Sequence, residues 1–499
     1  MALGAKGGRG VLIVLAVNRD GAQPIGRQLV EAVRCAIRDG RLAPGTRLPA
    51  SRVLAREWRV GRNTVMAMTE QLVAEGFLAT RPGAGTFVAA APPAECPPPP
   101  SPLAATAPAT LPALSRQGQW LAALPPPGQE VPLPFVPDLP ALDAFPFHEW
   151  NRLAAQAWRV ITPAMLAHPD PAGWQPLRAA IAAQISAARG FACTEEQVVV
   201  TSGASQALDL IARLLLDPGA TVWIEDPGYV GARHIFAAGG ARLVPVPVDD
   251  EGLDVAAGSR LAPSPRLIFV TPSRQYPLGV TMSPARRQQL LALAERCGAW
   301  IVEDDYDWEF RYAGTPLPAL AALQPDGLVL HLGTYAKALL PGMRLGYLVL
   351  PRRLGRVFAR AKGMLERHPP LVEQLTLHGF MTSGRFGAHL RRMRRLYATR
   401  QEATLAALRA ALGPRAGIAP AETGMHLLLR LGEALPDRTV AAEAGRRGVV
   451  VRPLSPYYLG EQPSQGLLAG FAASPPERVE LAARRLATAI DAVTTSPGA

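Results

Sequence analysis

LGTYAKALLPGMRLGYLV, residues 332–349, is the stretch on which the reading of this chain turns. It grows out of an apolar run, Leu328-Val329-Leu330-His331-Leu332, and turns through Gly333-Thr334-Tyr335-Ala336 into Lys337. Lys337 is one of only three lysines in 499 residues, although Lys and Arg together number 52. Arg therefore supplies charge almost everywhere. A guanidinium does not deprotonate in proteins and forms no Schiff base, so a retained lysine is a candidate for amine chemistry. The other two lysines are poorer candidates: Lys6 lies in a Gly-rich tail and Lys362 in a basic, helix-like stretch. Arg344 follows seven residues after Lys337. The same local pattern also fits a surface lysine at the end of a strand.

Outward from this stretch the chain alternates strand and helix. Strands are predicted at 198–200, 221–225, 267–271, 300–304, 328–332 and 345–350, with helical stretches such as 284–296 between several of them. Such alternation implies a mainly parallel sheet with helices on both faces. Ligands of such sheets sit beyond the carboxyl ends of the strands.

The chemistry-bearing residues fall at those ends. After Val200, Ser202-Gly203-Ala204-Ser205 turns into a helix, an arrangement that offers free N–H groups to an anion or is simply a helix start. After Ile224, Glu225-Asp226-Pro227-Gly228-Tyr229 can lay an aromatic ring over a flat ligand, or send Tyr229 into the core. After Val302, Glu303-Asp304-Asp305-Tyr306 places Asp304 and Tyr306 on one side, given the strand period of two. Acids in series are unlike a core without partners. Pyridoxal 5'-phosphate needs a lysine, an acid for its ring nitrogen, a phenol for its ring oxygen and an anion site. Lys337, Asp304, Tyr306 and the set Thr334, Arg344 and Ser202 to Ser205 match those needs. The four cysteines, Cys35, Cys96, Cys193 and Cys297, have neither metal-like nor disulfide-framework spacing, so no metal is expected and a reducing cytoplasm is the expected setting.

A proline-rich segment, 89–140, is expected to be an extended linker; about a third of it is Pro. It separates a domain at 11–88 from one at 141–495. The run at 11–17 imitates a signal peptide but is too short and lacks a small-residue cleavage site, so it reads as a strand or lead-in. No stretch is long enough to span a membrane. The net charge of +12 points to a polyanionic partner. Between residues 21 and 90, ten Arg face five acids. Helices are predicted from Ile25, from Ser51 to Trp58 and from Arg62 to about Glu75, followed by a hairpin turning at Arg81-Pro82-Gly83-Ala84-Gly85. The short turn at Val60-Gly61 makes a helix-turn-helix, whose second helix enters the major groove of duplex DNA. Arg52, Arg62, Asn63, Thr64 and Arg81 are the expected DNA contacts. A small helical interaction domain with a solvated basic face is the alternative.

GRLAPGTRLPASRVLA (40–55), RNTV (62–65) and LVAEGFLATRPGAGTFV (72–88) resemble the winged helix-turn-helix of GntR-type regulators. VVVTSGASQALDLIARLL (198–215), WIEDPGY (223–229), VTPSRQYPLG (270–279), EDDYDWEFRY (303–312) and the opening stretch resemble an α/β fold-type I aminotransferase. In this order the two resemble the MocR/GabR regulators. The resemblance implies that Lys337 forms the Schiff base, that Asp304 holds the pyridine nitrogen and that Tyr306 contacts the ring oxygen. It also implies that Tyr229 stacks on the ring and that Thr334 and Arg344 bind phosphate. It implies a head-to-tail homodimer controlled by an amine, an amino acid or the cofactor itself. Departures are Ala50 and Gly61 in place of Ser, Ala336 where Ser commonly precedes the lysine, Arg274 in place of His, and Leu278 in place of Thr or Ser. Leu468-Ala469-Gly470-Phe471 has no Arg where many aminotransferases grip the substrate carboxylate; Arg430 and Arg452 are alternatives nearby. Weak or absent transamination is expected. A working aminotransferase with an attached DNA-binding domain is the second reading.

Overall fold

The computed structural model describes residues 23–92, 113–124, 133–314, 316–460 and 463–495. Lys6, the run at 11–17, Cys96 and the proline runs at 97–100 and 125–127 lie outside the described residues. The chain divides into two compact units, Met1–Leu114 and Ser115–Ala499.

In the first unit, helices α1 (Ile25–Arg38), α2 (Ser51–Glu57) and α3 (Arg62–Ala74) precede the hairpin β1 (Leu78–Arg81) and β2 (Gly85–Val88). Helical spacing places Leu29, Val33, Leu54, Val65, Met68 and Leu72 in one core with Trp58, Leu78 and Val88. Gly61 leads into α3 in an extended conformation. Ser51 does not cap α2: Ala50 holds the cap position without a side-chain hydrogen bond, and Ser51 is the first helical residue. The hairpin pairs Leu78 with Val88 and Arg81 with Gly85. Gly83 and Gly85 have φ of +72° and +110°, which L side chains rarely adopt, and this fixes the turn chemistry.

In the second unit the main sheet has eight strands. They are β3 (Val198–Thr201), β4 (Thr221–Asp226), β5 (Arg242–Asp249), β6 (Gly252–Leu253), β7 (Leu267–Val270), β8 (Trp300–Asp304), β9 (Val329–Thr334) and β10 (Gly346–Val349). Their order is β3-β10-β9-β8-β7-β4-β5-β6. β9, β8, β7, β4 and β5 run parallel in sequence across the sheet. β10 is antiparallel to both its neighbours, and β6 is antiparallel to β5. The period of two sends Leu267, Phe269 and Val302 to one core and Ile268, Val270 and Ile301 to the other, so both faces are covered.

A smaller antiparallel sheet follows: β11 (Ala416–Ile418), β12 (His426–Leu431), β13 (Arg452–Pro453) and β14 (Gly466–Gly470), ordered β11-β12-β14-β13. The helices Arg385–Leu412 and Pro476–Thr494 accompany it.

The expected linker is not extended throughout. Helix α4 (Arg116–Ala123) interrupts it, capped by the Ser115 side chain, which accepts from the Gly118 N–H at 3.0 Å. No proline lies between 113 and 124, so nothing bars a helix there. Trp120 packs edge-on against His234 at 5.9 Å, and the Gln117 amide donates to the Ala238 carbonyl. Residues 133–140, also assigned to the linker, belong to the core instead. Phe135 is fully buried and bridges to Gly470, and Val136, Asp138 and Leu139 are buried beside it.

Candidate functional site

The carboxyl ends of β3, β4, β7, β8 and β9 open on one cavity of about 420 Å³. Its lining includes Gly203, Ala204, Ser205, Tyr229, Asp304, Tyr306, Thr334, Lys337 and Arg344. The expected residues are thus brought together, with Ser202 as the exception. Ser202 stands one residue outside the lining, and its hydroxyl donates to Glu366 at 2.6 Å.

Each position has a local cause. Gly203 begins the helix Ala204–Leu215 with φ +95°, and a Cβ there would come within 3.4 Å of the Arg344 guanidinium carbon. The open helix start and the Arg therefore face each other. Arg344 is itself left-handed, φ +52°, at the end of the turn Pro341–Met343. Tyr229 follows β4 and lies over Gly231, where any Cβ would fall 2.5 Å from its ring. Its ring meets Tyr276 edge-on at 6.1 Å, and burial pushes its phenol up to about 12. The Tyr306 hydroxyl accepts from Arg274 at 3.2 Å.

Asp304 ends β8 and is 4% exposed, and its Oδ1 has no hydrogen-bond partner. Burial, reinforced by Asp305, Asp307 and Glu225, pushes its carboxyl up to about 8 despite nearby Lys337. A buried acid in that condition is set to receive a proton-bearing group.

Lys337 follows β9, and its ammonium donates to the Asp138 carbonyl at 3.0 Å. Asp138 is the main residue that the sequence reading missed, because it sits inside the proline-rich segment. Its carboxylate accepts from the Tyr276 hydroxyl at 2.7 Å and Arg452 at 3.1 Å, and His426 Nδ1 lies 3.2 Å away. Burial opposes ionisation there, but Lys337, His426 and Arg452 outweigh it and hold the carboxyl well below its ordinary range. The consecutive apolar residues Phe135 and Val136 were the available signal. Thr271 and Tyr276 also line the cavity and were not foreseen. Of the two alternative arginines, Arg452 lines this cavity, whereas Arg430 lines a separate one with Arg274 and His426.

The set fits pyridoxal 5'-phosphate. An unpartnered buried acid, a helix start facing an Arg and an amine share one enclosure of suitable size. A further cavity of about 500 Å³, lined by Arg189, Arg287 and Trp308, contains no lysine. Among the described residues no cluster of His, Cys, Asp and Glu is arranged to hold a metal ion. None of their helices is long and apolar enough to cross a membrane.

On the first unit, Arg52, Arg62, Asn63 and Arg81 are exposed, and Thr64 is half-buried. A Cβ on Gly26 would lie 3.7 Å from the Thr64 methyl, so this side chain leans toward α1. Arg81 lies over the Phe87 ring at 4.9 Å. A groove of about 980 Å³ is lined by Arg62 together with Arg47, Ser51, Thr69, Thr80 and Thr86. Arg47 was not singled out, although it stands in the quoted run at 40–55.

Residues 25–88 match the bacterial regulatory proteins of the gntR family, and residues 142–486 match aminotransferase class I and II. The chain is 40% identical over 485 residues to the probable rhizopine catabolism regulatory protein MocR of Rhizobium meliloti, covering 97% of each chain. It is 33% identical to the HTH-type pyridoxine biosynthesis transcriptional regulator PdxR of Corynebacterium glutamicum, over 92% of this chain and 94% of that one. The crystal structure of LysN, the α-aminoadipate aminotransferase of Thermus thermophilus complexed with N-(5'-phosphopyridoxyl)-L-leucine, is similar with a TM-score of 0.67. The two are 29% identical, and the match covers 73% of this chain and 93% of that one.

Proposed function

Because the chain belongs to the MocR-type transcription regulators, in which a GntR-type DNA-binding region precedes an aminotransferase class I and II domain, we propose that the second unit senses a small amine or amino acid, or the cofactor itself, and so governs DNA binding by the first. The observation that carries this reading is the presence, on one chain, of an exposed basic α3 start and a cavity that joins Lys337, Asp304 and Arg344. In this proposal Lys337 bonds the cofactor and Asp304 holds the ring nitrogen. Tyr306 faces the ring oxygen and Tyr229 covers the ring. The start of the helix at Gly203 to Ser205, with Thr334 and Arg344, receives the phosphate, as a helix start and a guanidinium do for anions generally. Pyridoxal phosphate, when bound, supplies a carbonyl carbon that takes up primary amines and a ring that draws off electrons. An amine that took the place of Lys337 on the cofactor would free the lysine nitrogen, whose hydrogen-bond partner in the structure is the Asp138 carbonyl, and so alter charge and hydrogen bonding there. A ligand shifts a conformational equilibrium only through its different affinity for the two states, and that local change is where the difference arises. Arg52, Arg62, Asn63, Thr64, Arg81 and Arg47 are assigned to duplex DNA.

The decisive measurement is the DNA affinity of the wild type and Lys337→Ala, with and without pyridoxal phosphate, across a panel of amines and amino acids. The wild type is expected to respond by about 5–150-fold, the range of typical coupling energies, and the variant not to respond. The complete cavity favours one second reading, a working aminotransferase. Steady transamination with a keto-acid acceptor, together with DNA binding indifferent to every ligand, would replace the sensor with the enzyme. We assign the assembly as a head-to-tail homodimer. Light scattering of the cofactor-loaded protein at micromolar concentration should give twice the 53.0 kDa chain mass, and a monomer would contradict the assignment.

A further inference from the structure

The charges lining the cavity can be assigned one by one. Arg344 faces the helix start at Gly203, and Lys337 is the amine-exchange position. The remaining cation of the lining is Arg452, and its charge is met by Asp138 at 3.1 Å. Asp138 is 4% exposed, with His426 Nδ1 3.2 Å from it, so drawing Arg452 away would cost a buried carboxylate its guanidinium partner, an unfavourable exchange. Arg274, just outside, is committed as well: it donates to the Tyr306 hydroxyl and the His426 carbonyl and pairs with Asp307 at 3.4 Å.

The neighbouring wall offers no substitute. Along β14, Gly466, Leu468 and Gly470 share one face by the period of two. Leu468 is fully buried with Tyr276, Leu454 and Tyr457, against Tyr229 and Tyr306. Gly470 cannot carry a side chain, since a Cβ there would fall 1.9 Å from the Val136 carbonyl oxygen. The layer behind the cavity is thus aromatic and aliphatic, with the Tyr276 and Tyr457 hydroxyls 3.2 Å apart within it.

We infer that the ligand sensed at Lys337 is a primary amine with no carboxylate on the carbon that bears its nitrogen. This inference rests on the sensor reading above and narrows it. An amino acid would bring a carboxylate into a cofactor-loaded enclosure whose cations have other partners, whereas the matching amine brings no second charge and has the rings of Tyr229, Tyr276 and Tyr306 beside it.

The test uses the full-length, cofactor-loaded protein and two pairs of probes: butylamine against norvaline, and 2-phenylethylamine against phenylalanine. Affinities are read by calorimetry and by the visible absorption of the bound cofactor, and DNA affinity is measured alongside. Each amine is expected to bind at least about tenfold more tightly than its amino acid, a discrimination of about 1.4 kcal/mol. Asp138→Asn, which releases Arg452, is expected to shrink that ratio by tightening the amino acids. If this variant does not fold, the wild-type ratio decides alone. Amino acids that bind as tightly as the amines and change DNA affinity would overturn this inference and leave the sensor reading in place. Failure of all four probes to bind would overturn this inference, and DNA affinity indifferent to pyridoxal phosphate and to every amine as well would overturn the sensor reading with it.

Discussion

Asp304, the proposed partner of the cofactor's ring nitrogen, shows how one buried side chain enters folding energetics. In the ligand-free protein it keeps its proton up to about pH 8, whereas an unfolded chain releases it near 3.8. The folded state therefore binds the proton more tightly, and stability falls as pH rises from the ordinary carboxylate range toward 8. Asp304→Asn removes that loss. Without cofactor, the variant should be more stable than wild type at pH 8 by about 1–3 kcal/mol, the usual range for a buried polar group left unpaired. The gap should close below pH 4. Pyridoxal phosphate should reverse the order, because only the carboxylate can pair with a protonated ring nitrogen. Thermal melting across pH, with and without cofactor, checks all three points. Equal slopes for the two proteins would show that Asp304 holds no extra proton. Asp307 and Glu225, both pushed up to about 7 by burial, leave the variant with some residual pH dependence.

At the scale of elements, α3 sets the expected DNA response. Arg62 and Asn63 are exposed at its start, where a recognition helix meets base edges and phosphates. Arg62→Ala should weaken operator binding by about 1–3 kcal/mol if the side chain reads a base. Arg47→Ala should weaken it similarly on all sequences and flatten the salt dependence, as loss of a phosphate contact does. Binding isotherms at several salt concentrations separate the two. Much of this unit was legible because its periodicity is regular and its turns carry Gly. The six strands read from apolar runs in the large unit are all present. β5 was not read, because Pro245 and Pro247 interrupt it. Proline lacks the ladder donor and is tolerated only where that donor is not needed. Asp138 was hidden for a related reason. Its segment is held by one bridge and by side chains from distant strands, and no local pattern announces such contacts. The residues around Lys337 were legible because strand ends place them by topology alone.

For the molecule as a whole, each unit has its own core. A protein beginning at Ser115 should still fold, take up cofactor and melt cooperatively, yet lose DNA binding entirely. Retained DNA affinity would move the binding surface to the second unit. The fold also routes the chain in a consequential way. Residues 133–138 lead into the large unit beside the cavity, and there the Asp138 carbonyl takes its hydrogen bond from Lys337. The proposed cofactor lysine is thus one of several side chains that hold this segment, together with Tyr276, His426 and Arg452. With cofactor bound as proposed, the lysine nitrogen would be taken, and an amine that released it would restore the donor; a buried carbonyl without its donor costs about 1–3 kcal/mol. That matches the size of ordinary allosteric coupling, so under the sensor proposal this one hydrogen bond would be enough to set two states of the large unit apart.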